Sequence, residues 1–192
     1  GGWLIRLLAI TSITGTSHHP AVVAAASSPP PSHSPPNSVD WDSFGFGLNG
    51  VQTEHMWLDT VKVDLDDPET SPYSASADEC LRPFGAVELY PTSAVLNYGQ
   101  SLFEGLKAFR REDGTIVMFR PDRNALRMAD GARRFLLPAV DPGTFVAAAD
   151  EVVRANSHWV PPRGKGALYL RPLLMGTGAD LGVKASHTAT FC

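Results

Sequence analysis

From residue 40 onward, apolar and polar positions recur with the spacings of short strands and two amphipathic helices. Residues 61–65 alternate apolar and polar side chains, as a half-buried strand does. A polar, proline-bearing loop follows over residues 66–77, and short strands are predicted at residues 86–90 and 94–96. Residues 106–109 and 115–119 flank a charged stretch ending in Gly114, the pattern of a β-hairpin with a glycine turn. Pro121 suits the first turn of a helix, predicted to run to about Phe135 and to stop before Pro138. Asp141 caps a second helix with Pro142 at its first position. That helix carries Phe145, Ala148, Ala149 and Val152 on one face and ends near Ser157. A Pro/Gly loop over residues 157–166 leads to a strand at 167–175, then to a glycine-rich turn at 176–182. Hairpins first, two helices next and a returning strand make an α+β domain over residues 40–192.

Residues 1–39 have a different composition. They contain no Asp or Glu, a single arginine (Arg6), and a PPPSHSPP run at 29–36. Such a segment buries too little apolar surface to offset its ordering entropy, so disorder is expected. Its acid-free, serine-rich make-up is that of an organellar transit peptide. The apolar stretch 3–13, with Ala24, Ala25 and Ala26 beyond it, leaves a secretory signal open, and a tail without an address remains the plainest account. The sequence opens on Gly1, and its last segment ends as a strand in progress, so a fragment at both ends is expected.

The net charge of −4 argues against a nucleic-acid partner, which normally selects a basic surface. There is no run of 18 apolar residues, so no membrane span is expected. Cys80 and Cys192 form neither a disulfide framework nor a metal-ligand spacing, and the histidines form no metal set, so no metal is assigned.

Three motifs resemble phosphate-binding loops and fail on context. GFGLNG at 45–50 follows a Ser/Pro segment rather than a strand, and no helix opens behind it. Gly164-Lys165-Gly166 lacks the rest of a P-loop, and GTGADLG at 176–182 lacks a helical continuation. Arginines are more informative. Arg120, Arg123 and Arg127 lie on or beside the first predicted helix, and the last two share a face. A guanidinium fork suits phosphate, but composition alone favours the reading of a solvated helix face. Arg171 sits in the otherwise apolar LYLRPLLM, on the same side as Tyr169 by strand alternation. A buried or half-buried arginine needs an anionic partner, from the protein or from a ligand. YGQSLFEG at 98–105 is either a ligand-facing segment or a loop that packs Phe103 into the core.

The stretch LNYGQSLFEGLKAFRREDGTIVMFRPDRNALRM (96–128) resembles the N-terminal domain of the branched-chain amino acid aminotransferases. So do WVPPRGKGALYLRPLLMGTGADLGV (159–183) and, in the manner of plant members, DWDSFGFGL (40–48). The resemblance implies fold type IV, in which a small α+β domain packs beside a larger one with pyridoxal 5'-phosphate between them, in a homodimer. It implies transfer of the amino group of leucine, isoleucine or valine to 2-oxoglutarate. Residue by residue, Arg127 matches the arginine that binds the cofactor phosphate. Tyr98, Phe103 and Tyr169 match side chains of the substrate pocket. Arg171 matches an arginine that accommodates the second carboxylate of glutamate. Gly105 allows close backbone approach or packing, and Glu104 has no assigned role.

The lysines are Lys62, Lys107, Lys165 and Lys184, and none matches the Schiff-base lysine of the family, which is expected beyond Cys192 in a missing second domain. No catalytic residue is therefore assigned, and the chain alone is expected to be inactive, weak in cofactor binding and poorly soluble. Its partners are expected to be small amino and 2-oxo acids. The leader points to the chloroplast, with the mitochondrion as alternative. Other fold-type-IV enzymes, the D-amino acid aminotransferases and aminodeoxychorismate lyases, fit the two specific motifs less well. A non-catalytic truncated or pseudoenzyme domain is the alternative from a different class.

Overall fold

Local chemistry sets most of the element boundaries. The structure, a computed structural model, describes residues 40–42, 53–64, 66–67 and 73–192, which lie in one folded unit. The leader and the GFGLNG motif lie outside the described residues. In chain order the elements are β1 (His55–Trp57), β2 (Asp59–Lys62), α1 (Ala77–Cys80), β3 (Leu81–Pro83), α2 (Ala94–Tyr98), β4 (Ser101–Phe103), β5 (Leu106–Arg110), β6 (Ile116–Met118), α3 (Pro121–Arg134), α4 (Pro142–Ala155), a 3-10 turn (Ser157–Trp159), β7 (Leu168–Leu170), β8 (Leu173–Gly176) and β9 (Thr188–Phe191).

The long helices follow their sequence signals. α3 starts on Pro121 and contains no β-branched residue. It buries Ala125, Met128, Ala129 and Ala132, the i, i+3, i+4, i+7 stripe of a core-facing helix. It ends where Leu136 takes a left-handed backbone, φ 53°. The Leu137 N–H then reaches back to Ala132 O at 3.0 Å and that of Leu136 to Arg133 O at 3.3 Å, a Schellman closure with leucine where glycine is usual. α4 is capped by Asp141, whose Oδ2 accepts from the N–H groups of Gly143 (2.9 Å) and Thr144 (3.2 Å). Phe145, Ala148 and Ala149 are buried as expected, but the fourth buried position is Val153 rather than Val152.

Three antiparallel sheets complete the unit among the described residues. β1 pairs with β3, a four-stranded sheet runs β2-β9-β8-β4, and a three-stranded sheet runs β6-β5-β7. The expected hairpin is β5–β6, with Gly114 at φ 82° in its turn. The Phe191 ring of β9 lies 6.0 Å from that of Phe145 and 6.1 Å from that of Tyr73, joining α4 to the four-stranded sheet. Leu174, Met128 and Val140 fill the core beside them.

Four expectations are corrected. Residues 94–96 are helical rather than extended. The Ser93 hydroxyl donates to Tyr90 O at 2.7 Å and Asn97 Nδ2 to Pro91 O at 2.8 Å, so local side-chain bonds close a short turn that Gly99, φ 66°, then ends. Residues 86–90 form no regular element, and the strand expected at 61–65 is β2, beginning at Asp59. The strand expected at 167–175 is divided into β7 and β8 at Arg171 and Pro172.

That division has a simple cause. β4 and β5 run antiparallel to β8 and β7, with Phe103 opposite Leu173 and Leu106 opposite Leu170. The register is the same on both sides of the gap, so Glu104 stands opposite Pro172 and Gly105 opposite Arg171. The Glu104 N–H donates to Pro172 O at 2.9 Å, but proline has no N–H to return the bond. The ladder is therefore interrupted at these residues, and one long ribbon contributes to two sheets.

Candidate functional site

Strand alternation sorts the side chains of the ribbon by parity. Glu104, Leu106 and Ala108 on one strand, with Leu170, Pro172 and Leu174 on the other, are buried. Phe103, Gly105 and Lys107, with Tyr169 and Arg171, occupy the opposite face and are exposed. This outer face holds most of the residues singled out from the sequence.

Phe103 is 61% exposed, so the core-packing alternative for it is excluded. The guanidinium carbon of Arg171 lies 4.3 Å from the Phe103 ring centroid and 5.2 Å from that of Tyr169. Arg171 Nη2 donates to the Tyr169 hydroxyl at 2.7 Å. Ring faces attract the cation and the hydroxyl fixes its rotation. Arg171 was expected to be buried or half-buried; it is exposed, because it sits on the outer parity of the ribbon. Among the described residues no carboxylate pairs with it. Gly105 and Tyr169 are in close approach: a Cβ on Gly105 would lie 2.4 Å from the Tyr169 hydroxyl oxygen, so the tyrosine would have to shift. Lys107, opposite Tyr169 in the ladder, shares this face and was not singled out.

On the inner parity stands one charge. Glu104 is 4% exposed. Its Oε1 accepts from Arg127 Nε at 2.6 Å and its Oε2 from Arg127 Nη2 at 2.5 Å. Asn124, one turn earlier on α3, donates Nδ2 to Oε2 at 2.9 Å and to Gly105 O at 3.1 Å. Burial raises the Glu104 pKa, but the bonds from Arg127 and Asn124, together with the arginine's charge, outweigh it and hold the carboxyl below the usual range. The Arg127 side chain remains 69% exposed. Two of its N–H groups are committed to Glu104; the other Nη2–H and both Nη1–H groups stay available.

Tyr98 ends α2 and is exposed, but no ring or hydrogen-bond contact joins it to the Phe103–Arg171–Tyr169 cluster among the described residues. The glycine-rich turn at 176–182 serves packing. Gly178 N–H donates to Ser186 Oγ at 2.8 Å, and a Cβ on Gly176 would lie 2.3 Å from Gln100 Oε1. Among the described residues no three His, Cys, Asp or Glu side chains gather as a metal site, and no helix is long and apolar enough to cross a membrane.

This geometry can be set beside known proteins. No protein-family model matches the chain. The fold is that of the fold-type-IV aminotransferases. The T.th. branched-chain aminotransferase, solved with N-(5'-phosphopyridoxyl)-L-glutamate, superposes with a TM-score of 0.51 and 21% identity, covering 73% of this chain and 40% of that one. The Thermoproteus uzoniensis enzyme, solved with norvaline, gives 0.50 and 20%, covering 72% and 40%. Sequence similarity is higher: a chloroplastic branched-chain aminotransferase of Arabidopsis thaliana is 49% identical over 154 residues, 80% of this chain. The chain is homologous to the plant branched-chain aminotransferases.

A mitochondrial branched-chain aminotransferase of Humulus lupulus is 44% identical over 160 residues, 83% of this chain. A methionine aminotransferase of Arabidopsis thaliana is 53% identical over 154 residues, 80% of this chain. The chain spans 35%, 38% and 40% of the length of these three relatives, in the order named. Pyridoxal 5'-phosphate is the cofactor that this homology brings into question. Its phosphate is a tetrahedral dianion that can offer two oxygens at once, and the uncommitted end of the Arg127 guanidinium is a matching donor fork on an exposed surface. The residues present fit that part of the cofactor.

Of the residues singled out from the sequence, the structure brings together Phe103, Tyr169 and Arg171, and sets Arg127 against Glu104 on the inner parity of the same ribbon. Sequence reasoning left Glu104 without a role and did not single out Asn124. Strand parity held the signal for Glu104, since it is the acidic residue in the alternating stretch 103–108 whose position faces inward.

Proposed function

We propose that this chain is the phosphate- and substrate-recognition part of a pyridoxal 5'-phosphate-dependent aminotransferase that moves the amino group of leucine, isoleucine or valine to 2-oxoglutarate. The observation that carries the proposal is the two-faced ribbon where its ladder is interrupted. It presents an arginine fork open to phosphate on one side, and on the other an exposed aromatic face with an arginine that no carboxylate among the described residues neutralises.

Each residue then has a task. Arg127 binds the cofactor phosphate through Nη1 and the free Nη2–H. Phe103, Tyr169 and, from the end of α2, Tyr98 offer apolar surface to a branched side chain, contributing about 0.8 kcal/mol per buried methylene. Arg171 receives the distal carboxylate of glutamate or 2-oxoglutarate, with the Tyr169 hydroxyl holding its plane. Bound cofactor supplies the electron sink for the substrate's α-carbon. The group that moves the α-proton lies outside these 192 residues in this proposal, so the chain alone is inactive. The parent protein works as a homodimer in this proposal, and it resides in an organelle, the chloroplast first and the mitochondrion second, a location that the names of the relatives support.

The methionine aminotransferase relative favours a second reading, in which an unbranched thioether side chain occupies the same apolar face. The test is the complete protein that carries this segment, assayed with leucine, isoleucine, valine and methionine against 2-oxoglutarate, beside the 192-residue chain. Turnover of the branched substrates by the complete protein and none by the chain is expected. Methionine as the preferred donor selects the second reading, and turnover by the isolated chain refutes the division of labour. In the complete protein Arg171→Met is expected to impair the glutamate half-reaction more than the leucine half-reaction; equal losses would assign Arg171 a structural task.

A further inference from the structure

We infer that Glu104 is a positioning residue for phosphate recognition: it grips one edge of the Arg127 guanidinium so that the other edge is held outward as a preformed fork. The inference rests on the phosphate role proposed for Arg127 and deepens it.

Four observations lead here. Glu104 occupies an inward position of the ribbon, where apolar residues surround its place in the alternation, and it is 4% exposed. A carboxylate is costly in such a place unless it is both paired and hydrogen-bonded. The pairing is bidentate and edge-on, through Nε and Nη2 at 2.6 and 2.5 Å. This edge is opposite in kind to the one a phosphate would use, since the Nη1–Nη2 end carries its own pair of parallel N–H groups. The carboxylate is itself immobilised, by Asn124 Nδ2 at 2.9 Å and by its own backbone N–H bonded to Pro172 O at 2.9 Å. Finally, Arg127 is solvent-exposed, so without Glu104 its long side chain would sample many rotamers. Glu104 removes that entropy before any ligand arrives, at the cost of cancelling the arginine's net charge. Recognition therefore depends on direction more than on attraction.

The experiment uses the 192-residue chain with pyridoxine 5'-phosphate and pyridoxine as probes. Neither carries an aldehyde, so neither bonds covalently to any of the four lysines. Dissociation constants are measured by NMR titration, which tolerates weak binding, and the phosphate preference is the ratio of the two. Folding of each variant is checked by its amide spectrum. Glu104→Gln keeps the shape and loses the charge-assisted grip; its phosphate preference is expected to fall about tenfold while pyridoxine affinity changes little. Asn124→Ala, at a half-buried helix position, is expected to lower the preference a few-fold, and it decides the matter if Glu104→Gln does not fold. In a chain labelled on arginine nitrogen, the Arg127 Nε–H signal is expected to be sharp and slow to exchange, and to lose both properties in Glu104→Gln. A purely structural Glu104 would lower stability and leave the preference intact, which overturns the inference. If Arg127→Met abolishes the preference while Glu104→Gln and Asn124→Ala retain it, the phosphate role stands and positioning by Glu104 falls. No preference in the unsubstituted chain, or an undiminished one in Arg127→Met, refutes both.

Discussion

A single carboxylate, Glu104, stands on the buried side of the strand ribbon and joins it to α3 through Arg127. Glu104 is tolerated there because Arg127 and Asn124 saturate its oxygens and keep it ionised below the usual carboxylate range, against the opposing effect of burial. A lowered folded-state pKa means that its stabilising effect is fully present above the unfolded glutamate value of about 4.3 and is lost as pH falls through the lower folded value. Urea midpoints measured from pH 6 downward are therefore expected to drop on the acid side, with a shallower drop in Glu104→Gln. Asp113 and Asp180 also have lowered pKa values, so some acid sensitivity persists in the variant. Parallel curves for the two proteins would show that Glu104 is not coupled to folding. The residue scale is also where sequence reasoning was least complete. Arg127 stood out through resemblance alone, because an arginine on a helix is usually a solvated one. Glu104 had no role until its partner, 23 positions away in the chain, was seen beside it.

At the scale of elements, two connections are made by single residues that no periodicity marks. Pro172 interrupts a ladder whose register continues on either side, and so divides one ribbon between two sheets, with the outer-face cluster at the interruption. Asn156, just past α4, is fully buried and joins that helix to β1. Its Oδ1 accepts from the N–H groups of Glu54 and His55, both at 3.0 Å, and its Nδ2 donates to His55 O at 3.1 Å and Val152 O at 2.8 Å. Asn156→Ala would leave backbone groups without partners in a buried place, and a loss of roughly 2–4 kcal/mol is expected in chemical unfolding. A loss within the range of a surface substitution would mean that other groups or water take over these bonds. Sequence patterning found the two long helices and the β5–β6 hairpin, where Pro121, the Asp141-Pro142 pair and Gly114 act locally. It failed at 94–98 and at Pro172. In the first case side-chain bonds to backbone outweighed strand propensity, and in the second a missing N–H mattered only because of what lay across the ladder.

For the molecule as a whole, the described residues leave large apolar side chains at the surface, among them Phe119 at 78% and Val183 at 93% exposure, besides Tyr90, Leu136 and Leu181. Surfaces of this kind favour association. Sedimentation of the isolated chain is expected to show concentration-dependent self-association, and a single monomeric species across the micromolar range would contradict this. By itself the sequence determined the α+β class, the helices with their caps, the hairpin, the alternating faces of the ribbon strands and, through its motifs, the homology to branched-chain aminotransferases. These are properties of short windows, where periodicity and capping chemistry act between near neighbours. Tertiary structure alone decided that Phe103 faces outward, that Tyr169 lies against Gly105 and under Arg171, and that Glu104 holds Arg127. The physical reason is that each of these depends on register between strands about 70 residues apart in sequence, or on the seating of a helix over them, and no local propensity encodes which partner stands opposite.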